Sequence, residues 1–474
     1  MSTANKIFSN TLWQTVIRAG GILIGVLNLG LVTRILGTTH FGFYTTIFAF
    51  VQIFVIFADL GLYLTLLREI SEAKDKNAES KAVNNIFTIR FFASIFFLGL
   101  APLVVFFLPY DAEVKNNIVY FLLAFFFQSL FSTLSAVFAK KLEMPRVAIA
   151  DLANKLIYFF IALYLFFHGG SLASVLAWNS FSQGVAFVLL LFFLRKHVKL
   201  SFAWDFAYWK KILLSTWPLA VTVVLNLIYF KADTLILSAY ARPEDVGLYG
   251  APYRVLEVLT TFPHMFMSLI LPLFTAAYVA KNYEALKNIW QNTFDFFVII
   301  SGAMLLGVWL VSKPLMIILA GADFAASGPI LNILILATAA IYFGTMFSYL
   351  VVAIGEQKAM VKYFLLVAIF GLAGYFIFIP KFGYWAAAWM TVAVEIMLWF
   401  FAWLVIKQKL NLKSNLTVVY KVGESMLVAF LAVYFVKDLP FIFLPMIALL
   451  VYGLCLYFFK AVDKDLFKQL LNKK

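Results

Sequence analysis

One cysteine, Cys455, stands among 474 residues; histidines number four, and charged residues make up only 13% of the chain. A lone cysteine rules out an intrachain disulfide, CxxC redox chemistry and a thiolate metal cage. The four histidines form no metal-ligand cluster. No GxxxxGK stretch occurs, so the chain is not itself an ATPase of the P-loop kind. Soluble domains carry roughly 25% charged residues, whereas this chain is 64% hydrophobic with a mean hydropathy of +0.95. Folding in water is excluded, and no hydrophilic stretch is long enough to make a separate soluble domain.

What is present is a succession of apolar runs of about twenty residues, the length that crosses a bilayer core of roughly 30 Å as a helix. Lipid cannot satisfy open backbone N–H and C=O groups, so the spans must be helices or a closed barrel, and the runs lack the alternation of barrel strands. The expected fold class is an all-α membrane protein of about 14 transmembrane helices. Their approximate positions are 11–36, 43–67, 86–108, 118–138, 148–167, 172–194, 212–239, 249–276, 293–311, 330–354, 361–379, 385–406, 422–436 and 441–459. The first run is too long for a cleavable signal and is expected to stay as a span.

Lysine and arginine in the short loops set the orientation. With a cytoplasmic N-terminus, 26 of them fall inside and only Lys115, Arg242, Lys313, Lys381 and Lys437 outside. Both termini are therefore expected in the cytoplasm. The net charge of +14 is spread over many cytoplasmic loops, which signals topology and anionic lipid headgroups as partners, not nucleic acid. In the basic tail from Lys460 to Lys474, Val462, Leu466, Phe467, Leu470 and Leu471 share one helical face against five lysines, the pattern of an interfacial helix; a frayed soluble tail is the other reading.

The two halves echo each other. Phe41-Gly42-Phe43-Tyr44 opens the second span and Val246-Gly247-Leu248-Tyr249 the eighth, 205 residues later. His168-Gly169-Gly170 leading to Ala177-Trp178 is loosely matched by Phe382-Gly383 leading to Ala388-Trp389. Two six-helix bundles follow, over 1–200 and 201–410, with two further transmembrane helices over 411–460 and the tail over 461–474.

The stretch from Asn10-Thr11-Leu12-Trp13-Gln14 to Arg34-Ile35-Leu36-Gly37, then Phe41-Gly42-Phe43-Tyr44, Ala58-Asp59-Leu60-Gly61-Leu62 and Arg68-Glu69-Ile70, resembles the amino-terminal signature of Wzx-type polysaccharide flippases. These belong to the multidrug/oligosaccharidyl-lipid/polysaccharide (MOP) exporter superfamily. Trp217-Pro218, Asp233, Val246-Gly247-Leu248-Tyr249, Leu271-Pro272, Gly355 before Lys358, and Ile379-Pro380 with Gly383 agree. The motifs are short but span nearly the whole chain. The resemblance implies two bundles facing a central cavity that opens alternately to each side of a bacterial cytoplasmic membrane. It also implies flipping of an undecaprenyl-diphosphate-linked oligosaccharide for O-antigen, capsule or exopolysaccharide assembly, with the polysaccharide polymerase and chain-length machinery as candidate partners.

A charge near the bilayer centre costs about 2.5–3.5 kcal/mol on insertion scales, so each retained one should face a cavity or a partner. Arg18 lies about two turns inside the first span and is the leading candidate for a diphosphate contact, since guanidinium presents a fork of donors to phosphate oxygens; an interfacial anchor is the plainer reading. Arg254, Glu257, Thr261 and His264 fall on one stripe of the eighth span and should line the cavity, unless Arg254 and Glu257 merely neutralise each other. Tyr249, Ala251 and Arg254 together with Leu271-Pro272 also resemble the equivalent helix of lipid II flippases. Lys231 and Asp233 stand two apart, on different sides of a helix, so at least one should reach the cavity or the outer interface. Asp59 resembles the family's second-helix aspartate, with a capping or an interfacial role as the alternatives. Asp151 and Lys155 should pair locally, while Arg34 and Arg90, near span ends, should snorkel to the interface.

Catalysis is not expected. The first external loop, 37–42, has no carboxylate, His40 in it lacks partners, and the longest external stretch, 312–329, offers only Lys313 and Asp323. No cofactor is implied, and the residues leave open whether H+ or Na+ drives the cycle. Three rivals stand beside the sugar-lipid reading: lipid II flipping, cation-coupled multidrug efflux, which should show a carboxylate-rich pocket and twelve spans, and a non-transporting scaffold, which would leave Arg18 and Arg254 without a reason.

Overall fold

A computed structural model of the chain describes residues 3–59, 61–410, 412, 414–436 and 439–461, and of residues 3–16, 18, 19 and 217–230 only the backbone. The basic tail from 462 onward lies outside the described residues, as do Leu60 and the side chains of Trp217 and Pro218.

Thirteen α-helices follow one another among the described residues: α1 (Thr3–Asp59), α2 (Leu62–Glu72), α3 (Lys76–Phe106), α4 (Ala112–Lys140), α5 (Met144–His168), α6 (Leu172–Leu194), α7 (Phe206–Tyr240), α8 (Pro243–Val279), α9 (Tyr283–Ala320), α10 (Ser327–Ala353), α11 (Gln357–Lys409), α12 (Thr417–Phe435) and α13 (Phe443–Phe458). Ten helices among the described residues are long and apolar enough to cross a membrane. The protein is all-α, as the apolar runs require.

Two helices are too long for one crossing. At 1.5 Å per residue, the 57 residues of α1 and the 53 of α11 would extend about 85 and 80 Å. Each is broken by a glycine in non-helical conformation, Gly37 (φ 61°) in α1 and Gly383 (φ 55°) in α11, where a side chain would be strained. In α9 the break falls at Val311 (φ −133°), three residues before Pro314, whose ring cannot continue the hydrogen-bond ladder.

The chain divides into two compact units: Met1–Ala251 with Leu319–Asp323 and Tyr375–Tyr384, and Pro252–Ile318 with Phe324–Gly374 and Trp385–Lys474. In the first, α1 packs on α3, α4, α5 and α7, and α4 on α6. One core joins Leu62, Leu66 and Ile70 of α2 to Ile86 of α3, Leu134 of α4 and Leu190 of α6. Near it the buried Glu79 carboxylate accepts from Lys140 (2.6 Å) and Lys141 (3.1 Å). In the second unit, Trp290 Nε1 donates to Ser414 Oγ (2.9 Å) and Tyr452 OH to Ile299 O (2.9 Å), pinning the 414–416 link and α13 to α9. An apolar groove of about 870 Å³ runs between α9, α10, α11 and α12, with Phe294, Phe343, Trp399, Val419 and Met426 on its walls and Lys407 among its lining residues.

The link from α6 to α7 is an extended strap held on α3 by side chains. Asn84 bonds Lys199 O (3.3 Å) and Ser201 N (3.0 Å), Thr88 accepts from Ala203 N (3.0 Å), and Asn85 accepts from Asp205 N (3.2 Å) and Trp209 Nε1 (3.0 Å). Lys81 closes it with a 2.7 Å ion pair to Asp205. The Lys81 ammonium, followed by the Tyr208 amide, holds the Asp205 carboxyl below its usual value. A carboxyl lowered in the folded state contributes above its unfolded value and stops contributing as pH falls through the lowered one. Asp205→Asn should therefore speed hydrogen–deuterium exchange at the amides of 201, 203 and 205 at neutral pH. After correction for intrinsic rates, the difference from wild type should close in acid, as Asp205 itself protonates.

Candidate functional site

The two copies of the glycine–tyrosine repeat meet in the first unit. A Cβ on Gly42 would stand 1.9 Å from Pro243 O, and one on Gly247 2.1 Å from Thr38 O. Thr38 precedes Gly42 by four residues and Pro243 precedes Gly247 by four, so each glycine lies against the carbonyl one turn before the other. No residue but glycine fits such a backbone-on-backbone crossing. Thr39 Oγ1 donates to Glu244 Oε1 across it (2.8 Å), and Gly250 meets the Thr45 side chain.

Tyr249, two residues beyond the crossing, is fully buried and donates from its hydroxyl to Asp233 Oδ2 at 2.6 Å. The other Asp233 oxygen accepts from Thr234 N, also at 2.6 Å. Lys231 is buried in the same unit, its Nζ 5.8 Å from the Phe48 ring centroid. Both charges of this pair are thus inside the first unit: Asp233 is 1% exposed and Lys231 7%. Sequence reasoning did not find Tyr249 as a partner, though a signal existed. Asp233 lies seven residues before the end of α7 and Tyr249 six after the start of α8, each roughly 10 Å from the intervening turn, so an antiparallel pair brings them level.

The polar stripe of α8 lies in the second unit. Arg254 Nη1 donates to Glu257 Oε2 at 2.8 Å, both side chains half-buried. Thr261 Oγ1 donates to Glu257 O at 3.3 Å. Tyr349 OH donates to His264 O at 3.4 Å, and the two rings are 6.3 Å apart; the imidazole side of α8 is exposed here. Pro263 supplies no amide to Leu259 O, and Tyr342 OH donates to that carbonyl instead (3.1 Å).

Of the remaining expectations, Asp151 and Lys155 do pair, at 2.9 Å. Asp59 ends α1 and accepts from Arg90 Nη1 at 2.8 Å. Arg90 does not snorkel: it is 1% exposed, and the Asp59 carboxylate gives the buried guanidinium a counter-charge and an acceptor in place of the hydration it loses. Arg34 is exposed and turns its Nη1 to Gly30 O (2.8 Å) and to Leu319 O (3.2 Å), near the end of α9. The Arg18 side chain lies outside the described residues. The sequence reading assigned no role to Glu395, a carboxyl of α11 that is 4% exposed. Among the described residues no group of three or more His, Cys, Asp or Glu gathers to hold a metal.

Residues 7–278 match the family described as "Polysaccharide biosynthesis protein", and residues 218–378 match the family described as MatE. A curated relative from Shigella flexneri, "Putative O-antigen transporter", is 23% identical over 317 residues, 64% of this chain and 74% of that protein. Among solved structures, the lipid II flippase MurJ in its inward closed conformation superposes with a TM-score of 0.79 at 14% identity, covering 95% of this chain and 99% of that one. An inward-facing multidrug resistance MATE family transporter of the MOP superfamily gives 0.66 at 13% identity, covering 86% and 98%.

Proposed function

Since this chain belongs to the polysaccharide biosynthesis protein family and carries the MOP superfamily fold, a transporter's and not an enzyme's, we propose that it flips a lipid-linked oligosaccharide. The substrate is a polyprenyl (undecaprenyl)-diphosphate glycan, moved across the cytoplasmic membrane by alternating access for O-antigen, capsule or exopolysaccharide assembly. The observation that carries this reading is the family match over more than half of the chain.

Physical features support it. The apolar groove of the second unit offers a polyprenyl chain a wall of aromatic and aliphatic side chains. The cations kept on α1, α7 and α8, Arg18, Lys231 and Arg254, are of the sort a diphosphate needs, and Glu257, Asp233, Asp59 and His264 are the polar groups proposed to accompany them at the site. In this reading α1 crosses twice about Gly37 and α11 twice about Gly383, which with the other long helices would make fourteen crossings, and the loop charges favour cytoplasmic termini. The internal repeat supports two bundles over 1–200 and 201–410, followed by the pair over 411–460.

Lipid II flipping is the second reading, favoured by the fold match to a lipid II flippase. Proteoliposomes holding the purified protein and a fluorescent undecaprenyl-diphosphate oligosaccharide should lose inner-leaflet protection of the label only when protein is present, and lipid II should move at least tenfold more slowly. Equal rates favour the second reading, and no movement of either lipid refutes the proposal.

A further inference from the structure

Behind the Gly37 kink the first unit has a half-open cavity of about 380 Å³, lined by polar and apolar groups alike, that the transport reading does not use. Its walls are Ile35, Leu36 and His40 of α1, Glu113 and Asn117 in the first turns of α4, and residues 170–173 at the start of α6. These three segments are separate in sequence, and the loop-charge count puts all of them on the outer side.

The groups facing this space are mixed donors and acceptors held in fixed places. Asn117 is 8% exposed and its Nδ2 donates to Glu113 O (2.8 Å) and Glu113 Oε2 (2.9 Å), which leaves its Oδ1 with no partner among the described residues. Ser171 caps α6 by accepting from Ser174 N (3.3 Å). The amides of Leu172 and Ala173, first and second in the helix and both on the cavity wall, have no acceptor among the described residues, as first-turn amides lack an intrahelical one. The His40 ring stands edge-on to Phe43 at 6.1 Å and supplies a nitrogen of either polarity.

Three ligand classes separate on this chemistry. The Glu113 carboxylate repels phosphate and other anions. A lipid chain would strip water from the carboxylate, amide and imidazole without replacing their hydrogen bonds. A ring bearing adjacent hydroxyls satisfies both sets at once, donating to Glu113 and Asn117 Oδ1 while accepting from the 172 and 173 amides. We propose that this cavity is a saccharide-binding subsite at the outer end of the first unit, holding one sugar of the glycan as it emerges. The assignment to an emerging glycan rests on the flippase reading, while the ligand class rests on the cavity alone.

Saturation-transfer NMR on the purified full-length protein tests it, with glucose, galactose, rhamnose and N-acetylglucosamine as probes. At least one sugar should receive magnetisation on its ring protons, with affinity at least tenfold weaker in His40→Ala and Asn117→Leu, weaker also in the isosteric Glu113→Gln, and unchanged by added pyrophosphate. No transfer to any of the four overturns the subsite, as does transfer that survives all three substitutions or is displaced by pyrophosphate. Flipping measured in parallel keeps the two readings apart. Variant-sensitive sugar binding without flipping sinks the flippase and leaves the subsite, whereas flipping without sugar binding removes the subsite alone.

Discussion

Leucine at Gly247 should abolish surface glycan, and alanine at Gly42 or Gly247 should reduce it sharply. Neither glycine has room for even one carbon, since the nearest atoms are backbone oxygens at 1.9 and 2.1 Å from the added Cβ, and a backbone cannot rotate aside as a side chain can. Overpacking in ordinary cores costs about 1–3 kcal/mol, and here the helices themselves must separate. Because the glycines share one crossing, the double alanine variant should cost less than the two single costs combined. Glycan staining of cells, together with thermal midpoints of the purified variants, checks this. Wild-type glycan from Gly247→Leu would show that the crossing is dispensable. The tight repeat geometry argues otherwise, as two equivalent carbonyl contacts would have to be lost together.

Arg254→Ala should reduce flipping about 10- to 100-fold, the effect of losing roughly 1.5–3 kcal/mol from a hydrogen bond to a charged group. Arg254→Lys should recover part of it, keeping the charge but losing the planar fork. The ion pair with Glu257 at 2.8 Å sharpens the test. If the arginine serves only to neutralise Glu257, Arg254→Ala with Glu257→Gln should restore transport; if it binds the diphosphate, the double variant stays inactive. Arg18→Ala is expected to act in the same direction, since it is proposed to meet the same headgroup. Proteoliposome flipping rates at equal protein content decide between these outcomes.

The membrane class and the helices could be read from hydrophobic length, because a bilayer imposes a fixed run on every span. The breaks within α1 and α11 coincide with seams at Gly37 and Gly383 that separate the expected spans. Local pairs were legible too: Asp151 and Lys155 meet since i,i+4 is a helix-surface distance. Partners across elements were not. Arg90 looked like a snorkelling side chain because nothing in its own helix opposes it, and its carboxylate sits 31 residues earlier at the end of α1. The strap on α3 was hidden for the same reason: Asn84, Asn85 and Thr88 are unremarkable polar residues until a distant backbone lies beside them. The glycine–tyrosine echo was visible as a repeat, but sequence similarity between two segments says nothing of whether they touch.

Pro252, Pro263 and Pro272 each remove one rung from the α8 ladder. A helix resists bending chiefly because flexure stretches hydrogen bonds on its convex side, and a missing rung cannot be stretched. At the 263 defect, the Tyr342 hydroxyl takes the vacated carbonyl and ties that turn to α10. The first defect falls elsewhere in importance: the chain leaves its first compact unit at Ala251 and enters the second at Pro252. Along α8 the boundary between the units therefore falls at a turn that has one backbone hydrogen bond fewer than an unbroken helix, the kind of place where a helix bends with least cost.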